Sequence, residues 1–458
     1  MSWTHEGSYW RRPLDCHDKL FQSIAAAGAP LGREHWLMTG WIQLAFPSAM
    51  DPMVQEQRLR GAWSALRLRH PDVALTLHEN EKRYGPVAGD QALQEWTSAT
   101  FRVETGVHSV DELFSRHLKV APSVHATCHW VPASSELAIV SPHWRWDGRG
   151  HMMMLHSFMD LLARSSTSPP LQAVVGAEAM NLVPTLDAVI GVPEVHEEEW
   201  SCKADNMLAP FLDGSPAIGL PTTSALPRDT MRIEMVIPKA VTTALREACR
   251  ARGLRLTAAL HASIVLETAR YYNQGRAADA NPAAKYKSWA AFDLRKYCSP
   301  PPNSTAHAPS IRLVALPLIV DPTVSWDTLA STFQAYYEQT LAPPASDFMF
   351  IRVPYVEKAT AMLARAPPST EPNLSNLGVI EDYLQRRYGD FEVRNTVLAV
   401  QTLSPQLYVH AWSWGGEMRV SICYNEAFYQ KQFVEGWLKG LETNLLKNLE
   451  VEITDTTG

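Results

Sequence analysis

The 458-residue chain has no run of about 18 consecutive apolar residues, the length a membrane-spanning helix requires. Its opening stretch, MSWTHEGSYWRRPLDCHDKLF, lacks the apolar block of a secretory leader. A cytoplasmic protein with no membrane segment is therefore expected. Cysteine is sparse and scattered, at Cys16, Cys128, Cys202, Cys249, Cys298 and Cys423. No two form a CxxC pair, which removes zinc-ribbon and dithiol redox motifs. Six thiols in so long a chain are not a disulfide framework and read as buried free thiols in a reducing compartment. The net charge is −7 with no Lys/Arg cluster, which argues against a nucleic-acid binder. No solenoid-type period recurs.

What the chain does have is an ordinary globular composition, 46% hydrophobic and 19% charged, long enough for two sizeable cores. Asp51 followed by Pro52 predicts a helix start, and Val54, Leu59, Trp63 and Leu66 give it an apolar stripe. VALTLHE (73–79), HATCHWV (125–131) and ELAIVS (136–141) read as strands. From about 165 to 230 the composition turns to Pro, Ser and Gly. This places a first lobe at 1–195, a linker at 196–228 and a second lobe at 229–458. The second lobe opens on the strand MRIEMVI and a helix that Pro238 starts and Gly253 ends. A further helix starts near Thr257, another is capped by Ser325, and KSWAAFDLRKY and IRLVALPLIV read as strands. Gly415–Gly416 joins two alternating runs as a hairpin, and Asn425 is expected to cap the last helix.

The densest chemistry lies at His143-Trp144-Arg145-Trp146-Asp147-Gly148, between the strand ELAIVS and a helical stretch, GRGHMMMLHSFMDLLA. A neutral histidine is the usual general base near pH 7. A carboxylate four residues on can fix its tautomer, or instead anchor the turn through an arginine. Gly148 allows a close backbone approach, and the helix N-terminus offers N–H groups to a developing anion. The hexapeptide alone is weak, since chance alone produces such a pattern; its strand–turn–helix setting gives it weight. Elsewhere, Met152–Met154 reads as core packing rather than a substrate wall. His151 and His156 share a helix face poorly, and His125 and His129 lack a further ligand, so no metal site is expected. Ser375 and Asn376 suit either a turn or a binding wall. His410, Trp412 and Trp414 alternate on one strand face, as core or as a row suited to an apolar ligand.

In the pieces WSALRLRHPDV, SPHWRWDGRG, LTAALHASIVLETARY, AAFDLRKYC, PNLSNLGVIEDYL and MRVSICYNEAFY, in this order over residues 50–445, the chain resembles the HxxxD acyltransferase superfamily. That superfamily takes in condensation domains, plant BAHD enzymes and fungal O-acetyltransferases, and the likeness is greatest to the trichothecene 15-O-acetyltransferase type. The resemblance implies an α/β (α+β) fold of two chloramphenicol-acetyltransferase-like lobes, each a mixed sheet with helices, and a tunnel between them. It makes His143 the base, Asp147 an orienting residue paired with Arg295, and Gly148 part of the motif. It sets Trp144, Trp146, Ser375, Asn376, His410, Trp412 and Trp414 as candidates for substrate contact.

The implied reaction moves an acyl group, acetyl first among them, from acyl-CoA to a hydroxyl of an apolar secondary metabolite. Acyl-CoA is a co-substrate rather than a bound cofactor, and a carrier-protein-bound acyl group is the other donor to consider. A monomer is expected. Pro142 stands where condensation domains usually carry a second histidine, which weakens peptide-bond formation more than esterification. The two tryptophans inside the motif leave a second reading open, a non-transfer step such as cyclisation or isomerisation on the same fold. A third is a non-catalytic binding protein.

Overall fold

The computed structural model describes residues 3–118, 124–164, 176–193, 197–274, 283–300, 304–339 and 348–452. The chain divides into two compact units. The first comprises Met1–Val192, Asp293–Leu313 and Ile380–Gln401, and the second Pro193–Phe292, Val314–Val379 and Thr402–Gly458. One cut in the sequence therefore does not separate them. Two segments of the second half fold into the first unit, where a strand at 391–400 finds its hydrogen-bonding partner. The stretch expected as a linker holds the helix Glu198–Leu208, because Trp200, Ala204 and Leu208 supply a buried stripe at helical spacing.

The first unit is built on a six-stranded mixed sheet. Its centre is Met38–Ala45, which pairs antiparallel with Glu136–Ser141 on one side and Phe391–Val400 on the other. Both faces of the centre are covered, so its residues are buried in near-continuous succession. Thr127–Val131 follows beyond Glu136–Ser141 and takes a short parallel strand, Phe101–Val103, at the edge. The helix Pro52–Arg69 packs beside the helix Gly148–Arg164. It starts where the sequence places it, with the Asp51 carboxylate accepting from the Met53 amide at 2.8 Å. The stretch 73–79 differs from expectation. Val73 and Ala74 end a 3₁₀ turn that Pro71 opens, and the strand is confined to Thr76–His78.

The second unit carries a four-stranded sheet in the order Asn373–Val379, Tyr408–Trp414, Glu417–Asn425, Thr230–Ile237. The hairpin turn at Gly415 and Gly416 has φ of 62° and 86°, the left-handed pair a tight two-residue turn requires. Lys239–Ala251 and Leu256–Gln274 are its first two long helices. Asn425 does not cap the last helix, which begins at Lys431. Its side chain instead bridges strands and loop, accepting from the Arg228 and Ala427 amides and donating to the Arg228 and Thr402 carbonyls. Buried and four-fold bonded, it has no capacity left for a helix end.

Among the described residues no helix is long and apolar enough to cross a membrane.

Candidate active site

The strand Glu136–Ser141 delivers His143 to the end of the first unit's sheet, and the helix Gly148–Arg164 begins five residues later. The turn between them is held by Asp147. Its Oδ1 accepts from the Gly150 amide at 2.8 Å and from Arg295 Nη2 at 2.8 Å. Its Oδ2 accepts from Arg295 Nη1 at 3.0 Å and from the Arg312 amide at 2.7 Å. Aspartate and arginine are each 1% exposed. Burial alone would raise the Asp147 carboxyl pKa, but the Arg295 charge and these four donors outweigh it and hold the carboxyl below its ordinary value. Asp147 thus ties the motif turn to the 293–313 segment and has no hydrogen bond to His143.

The helix start is engaged in the same way. The Gly150 amide goes to the Asp147 carboxylate and the His151 amide to the Asp147 carbonyl, so these two are not open to a developing anion. Gly148 takes no left-handed φ. The glycine that close packing demands is Gly150, where a Cβ would lie 2.4 Å from the Ala308 carbonyl and 3.2 Å from Arg295 Nη2. Sequence reasoning missed it, although it stands in the same DGRG stretch. Arg149 adds a further tie, donating to Asp293 at 2.7 Å and to the Tyr383 hydroxyl at 2.9 Å.

His143 is half-buried. Its Nδ1 is enclosed and meets no partner outside its own main chain. Nε2 is left as the nitrogen that can meet a reactant. Burial lowers the imidazole to about 4, with its own backbone and the Asp147 charge opposing the shift. The ring is therefore neutral at pH 7 and able to accept a proton. It stacks on Phe21, with centroids 4.2 Å apart and planes 12° apart, and Trp36 lies tilted beside it at 5.9 Å.

Trp144 and Trp146 are turned into the interior, 6% and 0% exposed. Trp144 lies under the Arg145 guanidinium, and Lys82 is bonded to its carbonyl. The Trp146 indole donates to His151 Nδ1 at 3.1 Å, and the His151 ring fills the space that Gly40 leaves open. The bulky centre of the motif is thus absorbed by the core of the first unit. The other histidines are likewise engaged: His156 with the Tyr388 hydroxyl, His129 with Glu104 and Thr127, and His125 with Trp96.

The second unit holds Ser375, Asn376, His410, Trp412 and Trp414. Ser375 lies in register beside His410 on the neighbouring strand. His410, Trp412 and Trp414 are all 3% exposed or less. Asn376 and Trp412 line a cavity of about 160 Å³ together with Arg246, Thr257, Ser413 and Met418. Asn376 donates to the Thr257 hydroxyl at 2.6 Å, and its Oδ1 accepts from Gly378, which fixes a bulge in the strand. Arg246 donates to the Ser413 hydroxyl at 2.8 Å at the cavity wall.

No protein-family model matches the chain. It is 28% identical to a Monascus ruber protein described as acetyltransferase pigO, over 98% of this chain and 99% of that one. Trichothecene 15-O-acetyltransferase from Fusarium sporotrichioides superposes with a TM-score of 0.80 at 16% identity, covering 97% of both chains. The first condensation domain of the calcium-dependent antibiotic synthetase superposes with a TM-score of 0.64 at 12% identity, over 96% of this chain and 97% of that one.

Proposed function

Because the chain shares its fold with condensation domains and with trichothecene 15-O-acetyltransferase, we propose that it transfers an acyl group, most simply acetyl, from a CoA thioester to a hydroxyl on an apolar secondary metabolite. The observation that carries this reading is His143, neutral at pH 7, with one nitrogen enclosed and the other left for a reactant at the end of the first unit's sheet. That pigO and the trichothecene enzyme are acetyltransferases supports acetyl as the group moved.

In this reading Nε2 of His143 removes the hydroxyl proton of the acceptor as its oxygen attacks the thioester carbonyl. The C–O bond forms, the tetrahedral oxyanion collapses and the C–S bond breaks. The imidazolium returns its proton to the departing thiolate. Asp147 takes no part in proton transfer, because its four acceptor positions are filled by Arg295, Gly150 and Arg312.

The reading of a non-transfer step loses its motive, since the two motif tryptophans fill the interior of the first unit.

The test is a titration with acetyl-CoA and longer acyl-CoAs by thermal shift, followed by incubation with acetyl-CoA and a panel of trichothecene and other apolar alcohols, read by mass spectrometry. Donor binding and an acetylated product are expected, with a loss of about 10²–10⁴-fold in His143→Gln. Full transfer by a folded His143→Gln variant would overturn the mechanism, and turnover without any acyl donor would overturn the reaction class.

A further inference from the structure

Residues 32–37 form a strap whose backbone is unusual at one point. Trp36 has φ of 62°, in the left-handed region, where a bulky aromatic residue is an outlier. The conformation is imposed from both sides. The Trp36 amide donates to the Gln401 carbonyl at 2.8 Å, and the Gln401 amide donates to the Leu37 carbonyl at 2.9 Å. The strap is tied to the helix Cys16–Ala26 by the His35 amide, which donates to Ala25. The same helix carries Phe21. Strain of this kind persists only where the surroundings over-determine it, and it collects at functional sites.

The result of this geometry is an aromatic slot. Phe21 stacks on His143 at 4.2 Å, Trp36 stands at 5.9 Å from the imidazole, and Phe21 and Trp36 are 6.2 Å apart. Phe21 is buried, whereas Trp36 and His143 both keep partial exposure. The ring nitrogen facing away from solvent has no hydrogen-bond partner outside its own main chain, so no carboxylate or carbonyl of another residue orients the imidazole. The aspartate that performs that task in many histidine bases is here committed to Arg295.

We propose that Trp36 and Phe21 are the positioning residues of His143: the two rings hold the imidazole where no other residue hydrogen-bonds it, adding to its bond to its own main chain, and the left-handed backbone at Trp36 is what brings the indole against it. This rests on His143 being the reacting base. Its test uses neither donor nor acceptor, so it can fail independently of acyl transfer.

The experiment is NMR of the full chain labelled at histidine with ¹⁵N, with His143 assigned by the signals lost in His143→Gln. Asp147 and His151 act electrostatically on the imidazole; the strap carries Arg33, Glu34 and His35, and the Phe21 helix carries His17, Asp18 and Lys19. None is changed in the variants. The wild-type ring is expected to titrate near pH 4. In Trp36→Ala water reaches the imidazole, and the midpoint should rise by about 1–2 units toward the ordinary value, while Trp36→Phe keeps it low. Phe21→Leu, which leaves the strained backbone untouched, should raise it as well. If Phe21→Leu and a folded Trp36→Ala both titrate with the wild type, the proposal is overturned. Should Trp36→Ala not fold, Phe21→Leu decides alone.

Discussion

The Asp147 carboxylate and the Arg295 guanidinium face each other as a two-pronged pair, with contacts of 2.8 and 3.0 Å across a sequence separation of 148 positions. Both are buried, and Asp293 supports Arg295 from the other side at 3.0 Å. Neutralising Asp147 leaves the buried Arg295 charge with Asp293, the more exposed of its two carboxylates, as its remaining counter-charge. Asp147→Asn is expected to destabilise the first unit by about 3–5 kcal/mol. Denaturant unfolding will show this, together with low soluble yield. A folded Asp147→Asn protein of wild-type stability would show that the pair is not what holds the motif turn.

Gly150→Ala tests the same joint by volume rather than charge. The new methyl would meet the Ala308 carbonyl at 2.4 Å, and that atom is backbone that cannot swing aside. A loss of about 1–3 kcal/mol is expected. Gly61→Ala, which meets nothing within 4 Å on an exposed part of its helix, should be neutral or stabilising by comparison. Thermal unfolding of the two variants side by side decides between a steric effect and a general intolerance of alanine.

Much of this arrangement is written locally and can be read locally. Asp51 before Pro52, Gly415–Gly416 between alternating runs, and the order of strand, HxxxDG and helix each depend on neighbours in sequence. What surrounds His143 depends on distant ones. Phe21 lies on an early helix and Trp36 on a strap pinned by Gln401, and neither has a signal in its own flanking residues. Asn425 follows the same rule. As an asparagine before a helical stretch it reads as a cap, yet four hydrogen bonds to Arg228, Ala427 and Thr402 recruit it elsewhere. The 198–208 stretch read as linker because it lies within a region whose composition turns to Pro, Ser and Gly. Three buried side chains at helical spacing nonetheless make it a packed helix.

The pH dependence of transfer follows from the enclosure of His143. Its proton is lost near pH 4 instead of 6.5, so the base is available across the whole range in which the ordinary imidazole would still be titrating. The acid limb of kcat/KM is expected near pH 4, or at the onset of acid unfolding if that comes first, with a flat profile from about pH 5 to 8. The stability effect has the opposite appearance but the same cause. Between 6.5 and about 4 the unfolded chain binds a proton that folded His143 does not, so folding weakens as pH falls through that window. His143→Gln should flatten the slope there, measured as Tm against pH. An acid limb near 6.5 in the wild type would mean that the imidazole is open to water.

Glu371 in the second unit makes the complementary prediction. Its carboxyl is 4% exposed, and Gln406 Nε2 donates to it at 2.8 Å. Burial pushes it up to about 8, against the hydrogen bonds that favour the charged form. At neutral pH the folded protein therefore holds a proton that the unfolded chain, with a value near 4.5, has already released. Stability from this group is complete below about 4.5 and is lost as pH rises through 8. Glu371→Gln keeps an oxygen acceptor for Gln406 and cannot ionise. It is expected to match the wild type near pH 4.5 and to exceed it at pH 9 by about 1–3 kcal/mol, the cost of burying an unmatched polar group. Every other titrating group is common to both proteins, so the difference in Tm between them, followed from pH 4.5 to 9, isolates Glu371. A constant difference over that range would show that the carboxyl ionises normally in the folded state.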